Sequence, residues 1–202
     1  MIGEIVFQAM NYIGIVAFAF SGVIKAMEKE LDLLGALVLG FVTSLAGGIL
    51  VDVLLGIYPP VNLVYLPYPL TAIASTFIAI IVRKQFDKIA RPLLYFDAIG
   101  LGAFTASGAQ LAFSHGLNFL GVAILASITA TGGGVIRDVL VSEIPLVLKR
   151  DFYATPTIIG GFLFYAISSL GYESVSLSST FLFVLILRLV AIRKSWRLPR
   201  VA

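Results

Sequence analysis

Asp52, Arg137 and Asp138 are ionisable residues inside long apolar stretches, and each follows a cluster of glycines and small hydroxyl residues. The first cluster reads Thr43-Ser44-Leu45-Ala46-Gly47-Gly48 before Asp52; the second reads Thr129-Ala130-Thr131-Gly132-Gly133-Gly134 before Arg137-Asp138. Consecutive glycines form helix poorly and leave main-chain carbonyls uncovered, so a break or kink is expected at each cluster. At membrane depth such backbone is tolerated where protein buries it or water reaches it. Carbonyls ending a half-helix, with the hydroxyls of Thr43, Ser44, Thr129 and Thr131, suit transient cation coordination. The N-terminal end of the next half-helix is positive, so the dipoles alone leave cation and anion both open. No nucleophile, base and orienting group stand together, and no His, Cys or carboxylate set has metal-ligand spacing. Neither an enzyme nor a metal or cofactor site is expected.

An ionisable side chain at a helix centre costs about 2.5–3.5 kcal/mol on insertion scales, so each needs a partner or water. Arg137 and Asp138 are sequence neighbours that point in different directions on a helix, and they are not expected to pair. The expected pairs are Arg137 with Asp97, Lys25 with Asp138, and Asp52 with Gln110. Asp97 and Arg188 fall near span ends, where reaching the interface suffices. Such charges read either as ion pairs fixing helix packing or as a water-filled pathway with a gate. Gly14, Gly22, Gly100 and Gly108 read as helix-packing positions. His115 reads as a solvated loop residue, and Trp196, Tyr58, Tyr65 and Tyr68 as interfacial anchors.

The elements that must position these groups are membrane spans. Among 202 residues, 59% are hydrophobic and only 12% charged, and the mean hydropathy is +1.03. A water-exposed globule needs about a quarter of its residues charged, so the chain belongs in lipid. There is no cysteine and hence no disulfide framework. The first apolar run, Ile5 to Ile24, has spanning length and an acidic start at Glu4, and is expected to be retained rather than cleaved. Seven segments are long enough or nearly so, at about 5–26, 32–57, 69–85, 93–114, 117–142, 155–171 and 175–192. Lys25 and Lys29, then Arg83, Lys84, Lys88 and Arg91, then Lys149 and Arg150, then Arg193, Lys194, Arg197 and Arg200 fall on one side. By the positive-inside rule the N-terminus is outside and the C-terminus cytoplasmic. The net charge of +3 reflects this topology and attraction to lipid headgroups, with no nucleic-acid partner implied.

Residues 13–59 align without a gap on 99–145, with 18 of 47 positions identical, well beyond what composition alone gives. Identical pairs include Gly14/Gly100, Phe18/Phe104, Ser21/Ser107, Thr43/Thr129, Gly47/Gly133, Gly48/Gly134 and Asp52/Asp138. Each unit holds three spans, an odd number, so the second copy must enter the membrane from the opposite face. The expected fold is an all-α integral membrane protein of seven transmembrane helices in one domain over 1–202. It comprises repeat one (about 5–85), repeat two (about 93–171), an added seventh helix (about 175–192) and a basic cytoplasmic tail (193–202). Inverted repeats of this kind characterise transport proteins, whose pathway lies between the halves. The copies differ at Ala46/Gly132 and Val51/Arg137, where a gate is expected.

Together these residues resemble the prokaryotic TRIC family, the trimeric intracellular cation channels, a domain also labelled glycine-transporter-like. The resemblance rests on Gly132-Gly133-Gly134-Val135-Ile136-Arg137-Asp138, on its counterpart Gly47-Gly48-Ile49-Leu50-Val51-Asp52, and on the repeat with its added helix. It implies a homotrimer in the cell membrane, each protomer carrying its own pore lined by kinked second and fifth helices. The implied ions are monovalent cations, chiefly potassium and also sodium, with membrane lipids as further partners. The alternative function is a secondary transporter for a small solute such as glycine.

Overall fold

The computed structural model describes residues 2–89, 91–149 and 152–196. Arg150, Arg197 and Arg200, and with them the end of the expected basic tail, lie outside the described residues. Helix is the only regular secondary structure among the described residues, and no strand occurs in them. The helices are α1 (Ile2–Glu28), α2 (Leu33–Leu54), α3 (Val61–Val64), α4 (Pro67–Ile81), α5 (Pro92–Ser114), α6 (Phe119–Leu140), α7 (Leu146–Lys149), α8 (Thr155–Ser168) and α9 (Glu173–Lys194). Seven of these fall on the seven expected segments. The one-turn helices α3 and α7 and a 3₁₀ segment at Arg83–Lys88 were not foreseen. Four helices, α1, α2, α6 and α9, have both the length and the hydropathy to cross a membrane, while α4 and α8 are shorter and apolar. By length and composition these helices suit a bilayer.

Local chemistry explains the boundaries. Asp32 Oδ1 accepts from Gly35 N at 2.7 Å and opens α2; Asn118 Oδ1 accepts from Gly121 N at 2.9 Å and opens α6. These side chains satisfy main-chain donors that a helix start leaves without partners. Proline near the start of α4, α5 and α8 costs no hydrogen bond there.

Packing follows the same duplication. α1 lies against α5, α2 crosses α6, α4 covers α1 and α2, and α8 covers α5 and α6. α9 lies against α5 and α8. Surrounded in this way, α5 buries most of its residues and so tolerates Asp97, Thr105 and Ser107 at almost no exposure. Gly14 receives the Phe104 ring and Gly100 the Phe18 ring, and the two rings stack at 5.4 Å. The core thus interlocks across the two units by exchange of equivalent residues. Lipid-length apolar surface remains outside, with Leu33, Leu34, Leu66, Ile81 and Ile186 exposed.

Candidate functional site

The site is built at the crossing of α2 and α6. Both helices keep α-helical hydrogen bonding through their glycine clusters, so of the expected break or kink a break does not occur. Close approach replaces it. A Cβ on Gly47 would strike the Thr129 carbonyl oxygen, and one on Gly133 would strike the Thr43 carbonyl oxygen. Only glycine lets two main chains come this near. The hydroxyl protons are also committed within their own helices: Thr43 to Leu39 O, Ser44 to Phe41 O, Thr129 to Leu125 O and Thr131 to Ser127 O. Their oxygens retain lone pairs, but uncovered helix-end carbonyls are not part of the arrangement.

At the basic end of the bundle, beside this crossing, lies an ionic network. Arg137 is completely buried. One terminal nitrogen donates to Asp97 Oδ1 at 2.7 Å and to Ser21 Oγ, while Nε donates to Asp138 Oδ1 at 2.9 Å. The other terminal nitrogen lies 2.9 Å from the same Asp138 oxygen as an ion-pair contact. Ser21 donates to Asp97, and Tyr153 OH donates to Asp97 Oδ2 at 2.8 Å. Gly134 leaves the room that Tyr153 OH fills. Arg188 stacks over the Tyr153 ring at 4.9 Å and donates to Phe152 O. A guanidinium with two carboxylates and a serine around it suits a buried cation, because its planar fork meets several acceptors at once.

The opposite end of the crossing is open. Asn11, Val51, Asp52, Asn62, Ser107 and Thr129 line a cavity of about 70 Å³ that also touches Gly48 and Phe104. Asn62 Nδ2 donates to Leu45 O at 3.1 Å, in space that the missing side chain of Gly48 provides. The two aspartates have a common structural duty. Asp52 Oδ2 accepts from Val61 N at 2.8 Å and Asp138 Oδ2 from Leu146 N at 2.8 Å. Each therefore secures the one-turn helix that follows its span.

The expected pair Arg137–Asp97 is formed. Arg137 and Asp138 do pair, because the long guanidinium stem folds back on its neighbour. Lys25 does not reach Asp138; it pairs with Glu28 at 2.8 Å and Glu143 at 3.2 Å, and Lys29 joins Glu143 at 2.7 Å. Lys29 first, with Lys25, holds the Glu143 carboxyl down at about 2, against the opposing effect of desolvation. Gln110 does not partner Asp52, and its Oε1 accepts no hydrogen bond from a described residue. Asp97 and Arg188 are buried rather than reaching the interface. Tyr68 is also buried, donating to Gln8 Oε1 at 2.7 Å rather than anchoring at the interface. Asn11, Asn62 and Tyr153 were missed. Asn11 precedes the stretch that aligns gaplessly, and the other two lie outside the long apolar runs, where no local pattern marks them.

This arrangement defines a polytopic α-helical membrane protein with internal reciprocity and a polar crossing at its centre. A family model described as glycine transporter matches residues 8–84 and again 94–169, and the chain belongs to that family. The UPF0126 membrane protein YvgT of Bacillus subtilis is 36% identical over 198 residues, covering 95% of both chains. The UPF0126 inner membrane protein YadS of Escherichia coli is also 36% identical, covering 96% of this chain and 95% of that one. Among solved structures, one addressing conductance through TRIC cation channels matches with TM-score 0.88 and 53% identity over 97% of each chain. A prokaryotic TRIC channel crystallised in 0.5 M KCl matches with TM-score 0.90 and 41% identity, over 96% of this chain and 100% of that one. The TRIC trimeric intracellular cation channel orthologue from Rhodobacter sphaeroides gives 0.85 and 29%, over 95% and 99%.

Proposed function

We propose that the chain is a cation channel passing monovalent ions, chiefly potassium, along a path within each protomer between α2 and α6. The observation that carries this is the cavity bordered by Asp52, Asn11, Asn62 and Ser107 among apolar side chains at one end of the α2–α6 crossing, opposed by the Arg137 network at the other. The similarity to TRIC cation channels at up to 53% identity supports the same reading. A buried carboxylate beside a cavity with room for water favours a cation. None of the cavity-lining residues is basic, so the carboxylate of a glycine zwitterion would find no charged partner there. The channel reading is therefore preferred to the transporter that the family description names.

On this reading the basic end faces the cytoplasm, with the N-terminus outside, the C-terminus inside and three protomers assembled in the cell membrane. Arg137 closes the cytoplasmic end of the path, and opening moves its guanidinium aside while Asp97 and Asp138 keep it neutralised. The glycines of both clusters set the width of the crossing. Single-channel recording tests the role of the cavity: Asp52→Asn lowers unitary potassium conductance and leaves Arg137-dependent gating intact. Unitary conductance identical to the parent protein's would remove Asp52 from the path.

A further inference from the structure

Adding 86 to a residue number carries α1 and α2 onto α5 and α6, as the caps Asp32 and Asn118 and the interlocked rings Phe18 and Phe104 illustrate. The same step carries Asn11 onto Asp97, Val51 onto Arg137 and Asp52 onto Asp138, and Ser21 onto Ser107. Ser21, Asp97 and Asp138 are the residues that hold the Arg137 guanidinium at the basic end. Their counterparts Ser107, Asn11 and Asp52 all line the cavity at the other end, together with Val51, the counterpart of the arginine itself. The cavity is thus a replica of a guanidinium site in which the resident guanidinium has been replaced by the short valine.

We infer that this cavity is a binding site for a small N–H-bearing organic cation of the guanidinium type. Asp52 supplies the carboxylate, as Asp138 does for Arg137. Ser107 supplies a hydroxyl oxygen, as Ser21 does. Asn11 donates its Nδ2 to Phe7 O at 3.1 Å, which leaves Oδ1 as the acceptor in the place of Asp97. One carboxylate has become an amide, so the guest is held more loosely than Arg137 and exchanges with solvent. The volume of about 70 Å³ fits a planar ion the size of guanidinium, or about two water molecules at about 30 Å³ each. Tetramethylammonium has no N–H to donate, is bulkier, and is excluded on both counts. This site lies in the path of the proposed channel, and the electrical half of its test rests on that reading; the binding half does not.

Guanidinium chloride at millimolar concentration, titrated calorimetrically into the protein in lipid nanodiscs, gives saturable binding that tetramethylammonium does not reproduce. Asp52→Asn weakens it about tenfold or more, through loss of a charge-assisted contact. Val51→Arg abolishes it, because the variant carries its own guanidinium into the cavity. Where Val51→Arg does not fold, Ser107→Ala takes its place and weakens binding. Absence of saturable binding, equal binding of tetramethylammonium, or binding unaltered in Asp52→Asn overturns the inference. In bilayers, guanidinium added to the Asp52 face reduces potassium current, and added to the basic face it does not. Binding without any current upholds the site and sinks the channel reading; current with no binding does the reverse.

Discussion

Replacing Gly47 by alanine puts a methyl carbon against the Thr129 carbonyl oxygen, at the point where α2 and α6 come nearest. A carbon and a carbonyl oxygen settle at about 3.3–3.6 Å, so the helices must part by on the order of an ångström. The obstacle is main chain, which no rotamer change relieves. Overpacking at such a contact costs about 1–3 kcal/mol, with the upper half of the range expected here. Alanine's better helix propensity offsets about 1 kcal/mol, for a net loss of about 1–2 kcal/mol. Gly133→Ala meets the Thr43 carbonyl in the same way. Since both substitutions push the same two helices apart, the double variant loses less than the sum of the singles. Gly35→Ala on the same helix is the control, because its nearest neighbours, Leu31 Cβ at 3.1 Å and the Asp32 cap oxygen at 3.2 Å, are side-chain atoms that need yield only a few tenths of an ångström. Thermal and denaturant unfolding of the purified proteins read these differences. A Gly47→Ala protein as stable as Gly35→Ala would refute the close-approach argument.

Other substitutions probe the remaining parts. Arg137→Ala leaves Asp97 and Asp138 as unpaired buried carboxylates and destabilises the protein by about 3–5 kcal/mol; Arg137→Lys recovers little, lacking the fork, and both are read by unfolding. Asp138→Ala frees the amide of Leu146, and Asp52→Ala that of Val61, so hydrogen exchange at each accelerates in its own variant alone. Glu143 is ionised down to about 2 when folded, below the ordinary value of about 4.3. Its contact with Lys29 and Lys25 thus stabilises the protein above the ordinary value and loses this effect as pH falls towards 2. The melting-temperature gap between the parent protein and Glu143→Gln stays flat above about pH 5 and closes below it; a constant gap down to pH 2 would contradict the linkage.

The duplication, the spans and the Arg137–Asp97 pair were legible in the residues because hydrophobic length and gapless spacing are properties of the chain itself. The glycine clusters were legible as special, but the break foreseen beside a kink does not occur. Helix propensity argues for a break, whereas packing against the facing carbonyls of Thr129 and Thr43 keeps both helices whole. Asp52 and Asp138 drew notice as charges, yet their capping of α3 and α7 depends on how the chain doubles back after Pro60 and Pro145. Lys25 stood near Asp138 in depth, but Glu28 and Glu143 are nearer once the α6–α7 turn is placed. The equivalence of Asn11 and Asp97 was hidden because the two residues differ and precede the stretch of high identity. Only their matching positions beside Ser107 and Ser21 make it visible.

The central claim is passive cation conduction through the protomer. Reconstitution of the purified protein in a planar bilayer between unequal potassium chloride solutions tests it most directly. The account predicts discrete unitary currents reversing near the potassium equilibrium potential. Absence of unitary currents together with saturable, gradient-driven uptake of glycine into proteoliposomes would contradict it.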